Sequence, residues 1–257
     1  MIMTGKRRLP AAALLGFGLA FGMAGFGHAQ ETARPLGVVE LFTSQGCNSC
    51  PPADKVLSEL ADRDDVIALS YHVDYWDYLG WKDGMASPDN TERQQTYAHS
   101  LERASVYTPQ AIINGQRDVN GARRDTVLST LDGLSGGTGG LPVTMALHDT
   151  GDSIVIDAGD MPAANGTASL NAHVLLIDFT ARQSVAIRSG ENGGKTFEYR
   201  NAVKRIQTVG MWNGQAKSIE LPKSEMMKKG DGCAVLLQAV DKKGRLGPIL
   251  GAAMTRP

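Results

Sequence analysis

The chain opens with a pattern unlike anything that follows. Lys6, Arg7 and Arg8 give a basic start, and Leu9 to Phe26 is an uncharged, mostly apolar run. Gly27-His28-Ala29 then places small residues where a signal peptidase reads. This predicts a leader over 1–29, cleaved after Ala29. From Gly37 the rhythm becomes strands alternating with helices. Val38-Val39-Glu40-Leu41-Phe42 is a short apolar run suited to a buried central strand. After a turn at Ser44-Gln45-Gly46, Ala53, Val56, Leu57 and Leu60 recur at helical offsets and share one face. Val66 to Tyr71 predicts a second strand. Ser87-Pro88 reads as a helix start, with serine as cap and proline in the first turn, and Tyr97 and Leu101 facing inward. Ala111-Ile112-Ile113, Asn114-Gly115 and Gln116 to Val119 form a hairpin pattern around an Asn-Gly turn. Val127, Leu128, Leu131 and Leu134 predict a closing helix. The order over 37–134 is β-α-β-α-β-β-α.

Glycines then break the pattern, and a flexible linker is expected over 135–142. Beyond it almost everything reads as strand: 143–148, 153–157, 172–180, 184–188, 196–209, 216–221, 233–241 and 246–253. One helical turn is expected near Lys223–Lys228. Short strands separated by turn residues predict an all-β, sandwich-like C-terminal domain over 143–257. The fold class is thus an α/β N-terminal domain followed by a β-rich one.

Composition narrows the chemistry. The 257 residues carry 26 basic and 27 acidic side chains, so there is no basic excess for a nucleic-acid backbone. Removing the leader's Lys6, Arg7 and Arg8 leaves a mildly acidic remainder, and no later apolar run is long enough to span a membrane. Export, to the periplasm or beyond, would bring the chain into an oxidising compartment. Cys47, Cys50 and Cys233 all follow the leader. Alternation puts Cys233 with Val235 and Leu237, as a buried small hydrophobe. Asn165-Gly166-Thr167 fits a glycosylation acceptor pattern, and no role is assigned to it.

Cys47-Asn48-Ser49-Cys50 lies between a buried strand and an amphipathic helix. This spacing allows a disulfide at the first helical turn. Unpaired amides and the positive end of the helix dipole would there stabilise a thiolate on Cys47, leaving Cys50 to resolve a mixed disulfide. Pro51 and Pro52 stiffen the approach. A zinc site would need a second cysteine pair, and haem attachment would need histidine after Cys50, where Pro51 stands. A structural disulfide stays open. Thr108-Pro109 precedes the hairpin; a cis Pro109 would turn the backbone of Thr108 outward for strand addition by a substrate peptide.

With strand, cysteine pair and Thr-Pro in this order, residues 37–134 resemble a thioredoxin-fold domain. More narrowly, LFTSQGCNSCPPAD (41–54), SYHVDYWDYLGWKD (70–83) and VYTPQAIING (106–115) resemble the exported bacterial family known as domain of unknown function 1223. That resemblance implies a thioredoxin-like fold and no established activity. Gly46 stands where thioredoxins commonly have tryptophan, and Asn48-Ser49 where they have Gly-Pro. By the same likeness Glu40 is the candidate buried acid for proton transfer at Cys50.

Trp76 and Trp81, in the aromatic stretch after the second strand, are candidates to line a peptide groove. His72 is the candidate third ligand, with Cys47 and Cys50, for a soft metal such as copper. Three functions are therefore carried forward. The leading one is an exported thiol–disulfide oxidoreductase-like protein acting on protein thiols, with Cys47, Cys50, Pro109 and Glu40 as its machinery, Thr108, Trp76 and Trp81 contacting substrate, and no cofactor. The others are a Cu(I) carrier and a binding module with a disulfide staple.

Overall fold

A computed structural model describes residues 1–2, 34–135, 139–163, 171–222 and 231–255. The expected leader, the helical turn at 223–228, the Asn165 pattern and the middle of the linker lie outside these residues.

Strand β1 (Gly37–Thr43) is buried along its whole length and pairs in parallel with β2 (Val66–His72), from Gly37 opposite Val66 to Thr43 opposite His72. Helix α1 (Pro51–Ala61) connects them. Alternation along β1 divides its side chains. Val39 and Leu41 meet Ala53, Val56, Leu57 and Leu60 of α1, while Val38 and Phe42 join a core on the opposite face. Helix α2 (Pro88–Ser100) starts as its sequence predicts: Ser87 Oγ accepts the Asn90 amide at 3.2 Å, with proline in the first turn. Its Tyr97 enters the opposite-face core with Phe42.

Strands β3 (Gln110–Ile113) and β4 (Arg117–Asn120) form the expected hairpin. Both turn residues have positive φ, 49° at Asn114 and 67° at Gly115, as a tight primed turn requires. Helix α3 (Arg124–Ser135) returns beside α1, burying Val127 and Leu131.

The second half comprises β5 (Met145–Asp149), β6 (Ser153–Ala158), β7 (Ala172–Ala186), β8 (Thr196–Trp212), β9 (Lys217–Pro222), β10 (Asp231–Val240) and β11 (Leu246–Met254). Here the structure corrects the expectation of a self-contained sandwich. Four of these strands extend the first sheet, giving eight in the order β11-β10-β7-β8-β2-β1-β3-β4. The two halves join where β8 lies parallel to β2 at Ser70 and Ala202. Asn201, at φ 47°, turns its amide onto the Ala68 carbonyl at 2.8 Å beside this join. A separate sheet, β5-β6-β9, packs on the β7–β10–β11 side and encloses Ile154, Ile156, Val174, Trp212 and Val235.

Residues 172–180 and 184–188, expected as two strands, give one, β7, which ends at Ala186. The polar stretch between them stays paired with β8, with Arg182 opposite Arg200 and Gln183 opposite Tyr199. Backbone pairing rather than burial continues the strand there. Leu141, in the expected linker, is buried in the core shared by both halves. No helix among the described residues is long and apolar enough to cross a membrane.

Candidate functional site

Cys47 and Cys50 are joined by a disulfide, with Cα atoms 5.4 Å apart. The turn is closed by the Cys47 amide on the Ser44 carbonyl (3.2 Å) and the Cys50 amide on the Cys47 carbonyl (3.2 Å). Cys50 is the N-cap of α1. The amides that were to hold a thiolate are taken or missing. Pro51 and Pro52 have none, and those of Ala53 and Asp54 both donate to the Cys50 carbonyl, at 2.8 and 3.1 Å. The Ser49 hydroxyl lies 3.4 Å from Cys47 Sγ. Cys47 is 2% exposed and Cys50 fully buried, while Asn48 and Ser49 between them are exposed.

The aromatic loop after β2 leans against this turn. Trp76 Nε1 donates to Thr108 Oγ1 at 2.7 Å, and Trp81 Nε1 donates to Gln45 Oε1 at 2.8 Å. Both rings are partly exposed, and Tyr78 between them stands 78% exposed. A Cβ on Gly46 would lie 3.3 Å from both Cβ and O of Trp76, so the close approach of this loop accounts for glycine before the first cysteine. The Thr108–Pro109 bond is cis, Pro109 is buried, and its carbonyl accepts the Gly121 amide at 3.0 Å. Thr108 and Trp76 are thus brought to one place, and Trp81 is held by the residue two before Cys47.

Behind the turn lies a buried polar cluster. His72, the last residue of β2, has Nδ1 2.7 Å from Asp83 Oδ2, and both side chains are fully buried. The same oxygen accepts the Gln45 amide at 2.8 Å, and Oδ1 accepts the Met85 amide at 2.9 Å. Asp83 therefore fixes both the loop and the cysteine turn. Thr43 Oγ1 donates to Asp54 Oδ1 at 2.7 Å. Burial raises the Asp54 carboxyl to about 6, against the opposing pull of His72. Burial opposes charge on His72, yet the attraction of Asp83 leaves its pKa raised; Asp83, penalised by burial, is held low by His72. Tyr199 of β8 meets the His72 ring edge-on at 4.8 Å. His72 Nε2 is buried with no hydrogen-bond partner.

Glu40 is placed elsewhere. It shares the β1 face of Val38 and Phe42, opposite the face that carries α1. Arg93 Nε donates to its Oε1 at 2.7 Å, and the Tyr97 hydroxyl donates to its Oε2. The buried acid on the α1 side is Asp54, whose backbone amide donates to the Cys50 carbonyl at 3.1 Å. Its signal was available, since it lies on α1 three residues before Leu57 and shares the buried side of that helix. Asp83 and Asn192 carried no comparable local signal. The metal-site expectation also meets a different geometry. His72 Nδ1 is engaged by Asp83, and among the described residues no three His, Cys, Asp or Glu side chains gather as a metal site. Cys233 lies fully buried with Val235 and Leu237, as alternation predicts.

No curated protein matches this sequence. A crystal structure of an Agrobacterium tumefaciens protein, from the Northeast Structural Genomics Consortium, is 44% identical, with a TM-score of 0.77. The match covers 86% of this chain and 94% of that one. HBP35 of Porphyromonas gingivalis is alike in fold alone, at 11% identity and a TM-score of 0.59, covering 86% of this chain and 75% of that chain. Residues 38–238 match the family described as "Protein of unknown function (DUF1223)", and the chain belongs to that family.

Proposed function

We propose that this protein is an exported thiol–disulfide exchange protein whose first half, over 37–134, is a thioredoxin-like unit. The observation that carries the reading is the Cys47–Cys50 disulfide at the start of α1, on a turn flanked by the Trp76–Thr108–Pro109 contact. A strand–helix–strand unit followed by a hairpin and helix, with β1 central, supports the thioredoxin likeness. The basic start and apolar run before Ala29 support export to the periplasm or beyond.

In the reduced protein, the Cys47 thiolate attacks one sulfur of a substrate disulfide and displaces the other as a thiolate. Cys50, deprotonated, then attacks Cys47 Sγ. The intramolecular disulfide forms and the substrate leaves with its second thiolate, so two electrons pass to the substrate. Asp54, with a pKa near neutrality and its backbone amide on the Cys50 carbonyl, accepts the Cys50 proton. In reverse the same groups oxidise a dithiol. Thr108 and the partly exposed faces of Trp76 and Trp81 contact the substrate polypeptide.

A Cys50→Ser variant tests this reading. It is expected to retain partner proteins on Cys47 through mixed disulfides, seen as high-mass bands that a dithiol dissolves. Absence of such adducts in envelope extracts, with no exchange activity in the parent, sinks the proposal. A second reading, that the disulfide is a staple, is favoured by the near-complete burial of both cysteines. It expects Cys47→Ala/Cys50→Ala to preserve biological function while lowering the unfolding temperature.

A further inference from the structure

The turn that carries Cys47 is bonded by a segment far away in the chain. Strands β7 and β8 run past the join with β2 as a two-stranded arm, paired out to Ala186 and Thr196. The tip, 187–195, is a turn bonded to itself: the Ile187 amide donates to the Lys195 carbonyl at 2.8 Å, and the Gly194 amide to the Ile187 carbonyl at 2.9 Å. From 188 to 195 every residue is exposed except Asn192, which is 1% exposed. Its Nδ2 donates to two backbone carbonyls, Gln45 O and Cys47 O, each at 3.0 Å. Lys195 Nζ reaches Asn192 Oδ1 at 3.2 Å. Ser189 Oγ donates to the Gly80 carbonyl at 2.6 Å, and Gly190 sits so close to the loop that a Cβ there would lie 3.1 Å from Trp81 Cβ.

Two backbone carbonyls, those of Gln45 and Cys47 on either side of Gly46, are acceptors of the kind that an extended peptide's amides use when it lies alongside a strand. Here a carboxamide from the chain itself fills both. We infer that the β7–β8 tip is a latch, and that Asn192 occupies the place of a cysteine-bearing extended peptide, which must displace it to reach Cys47. This deepens the exchange reading above by naming the selecting residue and the substrate class. The tip suits the role, because 188–195 is exposed apart from Asn192 and its backbone bonds fall within the turn. The arm behind it is anchored by Arg200 on Asp62 (2.7 Å) and by buried Tyr199 against His72.

Reduction by a dithiol reads the latch directly. One thiolate attacks Cys47 Sγ; the Cys47–Cys50 bond breaks with its electron pair on Cys50, which takes a proton. The second thiol then displaces Cys47 as a thiolate, and the dithiol leaves oxidised to its own disulfide. In the full chain, with dithiothreitol as the probe and trapped thiols counted by mass, Asn192→Ala is expected to speed reduction about ten- to a hundredfold, as loss of two hydrogen bonds allows. Asn192→Asp, nearly isosteric, offers acceptors to two carbonyls and should speed it at least as much. Ser189→Ala should speed it about threefold. Parent-like rates in both Asn192 variants, with native circular dichroism, overturn the latch.

Amide hydrogen exchange on the parent supplies a test without substitution. Exchange at 187–195 should run far ahead of that at 172–180; equal protection overturns the latch as well. Failure of the exchange reading looks different. The Asn192 variants would open to dithiothreitol, yet Cys50→Ser would hold no protein partner.

Discussion

Two buried polar groups of residues lie on opposite faces of β1, and they are built on different terms. Glu40, Arg93, Tyr97 and Gln238 form a closed set. Arg93 donates to Glu40 at 2.7 Å, to Tyr97 at 3.1 Å and to Gln238 Oε1 at 2.9 Å, and Gln238 Nε2 returns a bond to the Tyr97 hydroxyl at 2.8 Å. The pair of charges also raises the Arg93 pKa despite burial, so the guanidinium stays charged. The set ties β1, α2 and β10 together. The other group, Asp54, His72, Asp83 and Tyr199, is open. Its histidine has an idle nitrogen, and burial raises one carboxyl, that of Asp54, to about 6. A fully satisfied network holds halves of a sheet together, whereas an incompletely satisfied one beside a disulfide can change protonation while the fold persists.

Breaking the closed set should have the largest effect. Arg93→Ala strands Glu40 in the core and is expected to cost about 3–5 kcal/mol, measured by urea unfolding. Its effect should fall on stability, leaving the dithiol reduction rate of the remaining folded protein near that of the parent.

The open set should reveal itself through pH. The folded Asp54 pKa of about 6 lies above the usual carboxyl value, so the folded state holds this proton more tightly, and stability falls as pH rises from about 4 to about 6. His72, also raised, contributes stability that is present below about 6.5 and lost as pH climbs through its folded pKa. Both slopes run the same way. Asp54→Asn keeps an acceptor for Thr43 and should gain up to about 3 kcal/mol at pH 8, with a flatter profile between pH 4 and 6. A profile unchanged from the parent's would remove Asp54 from the titrating set.

Asp83→Asn weakens the hold on His72 and the cysteine turn at once. It should cost about 2 kcal/mol near pH 6 and also quicken dithiol reduction, a pairing that Arg93→Ala lacks. The smallest change is Trp81→Phe. Losing the donor to the buried Gln45 should cost about 1 kcal/mol and raise the reduction rate a few-fold.

The elements of the first half were legible because their causes are local. Ser87-Pro88 starts a helix and Asn114-Gly115 turns a hairpin through their own backbone preferences, and the cysteine pair follows from spacing. Glu40 shows where such reading stops. Its place on an apolar strand predicts burial, and burial is found, but which face and which partner depend on how the helices pack. The merged strand β7 failed for a related reason: its polar middle looks like a turn until β8 lies beside it.

By itself the sequence determined the strand–helix alternation, the buried strand before the cysteines, the hairpin turn and the position of the CxxC pair, since each rests on contacts within a few residues. Only the tertiary structure decided that the second half's strands continue the first sheet, that Asp54 and not Glu40 lies on the α1 side of β1, and that Asn192 bonds the Gln45 and Cys47 carbonyls. Arg93 meets Gln238, and Asn192 meets Cys47, across 145 residues in each case. Contacts at that range leave no periodicity or spacing to read, because they are set by how whole sheets and arms pack and not by the preferences of neighbouring residues.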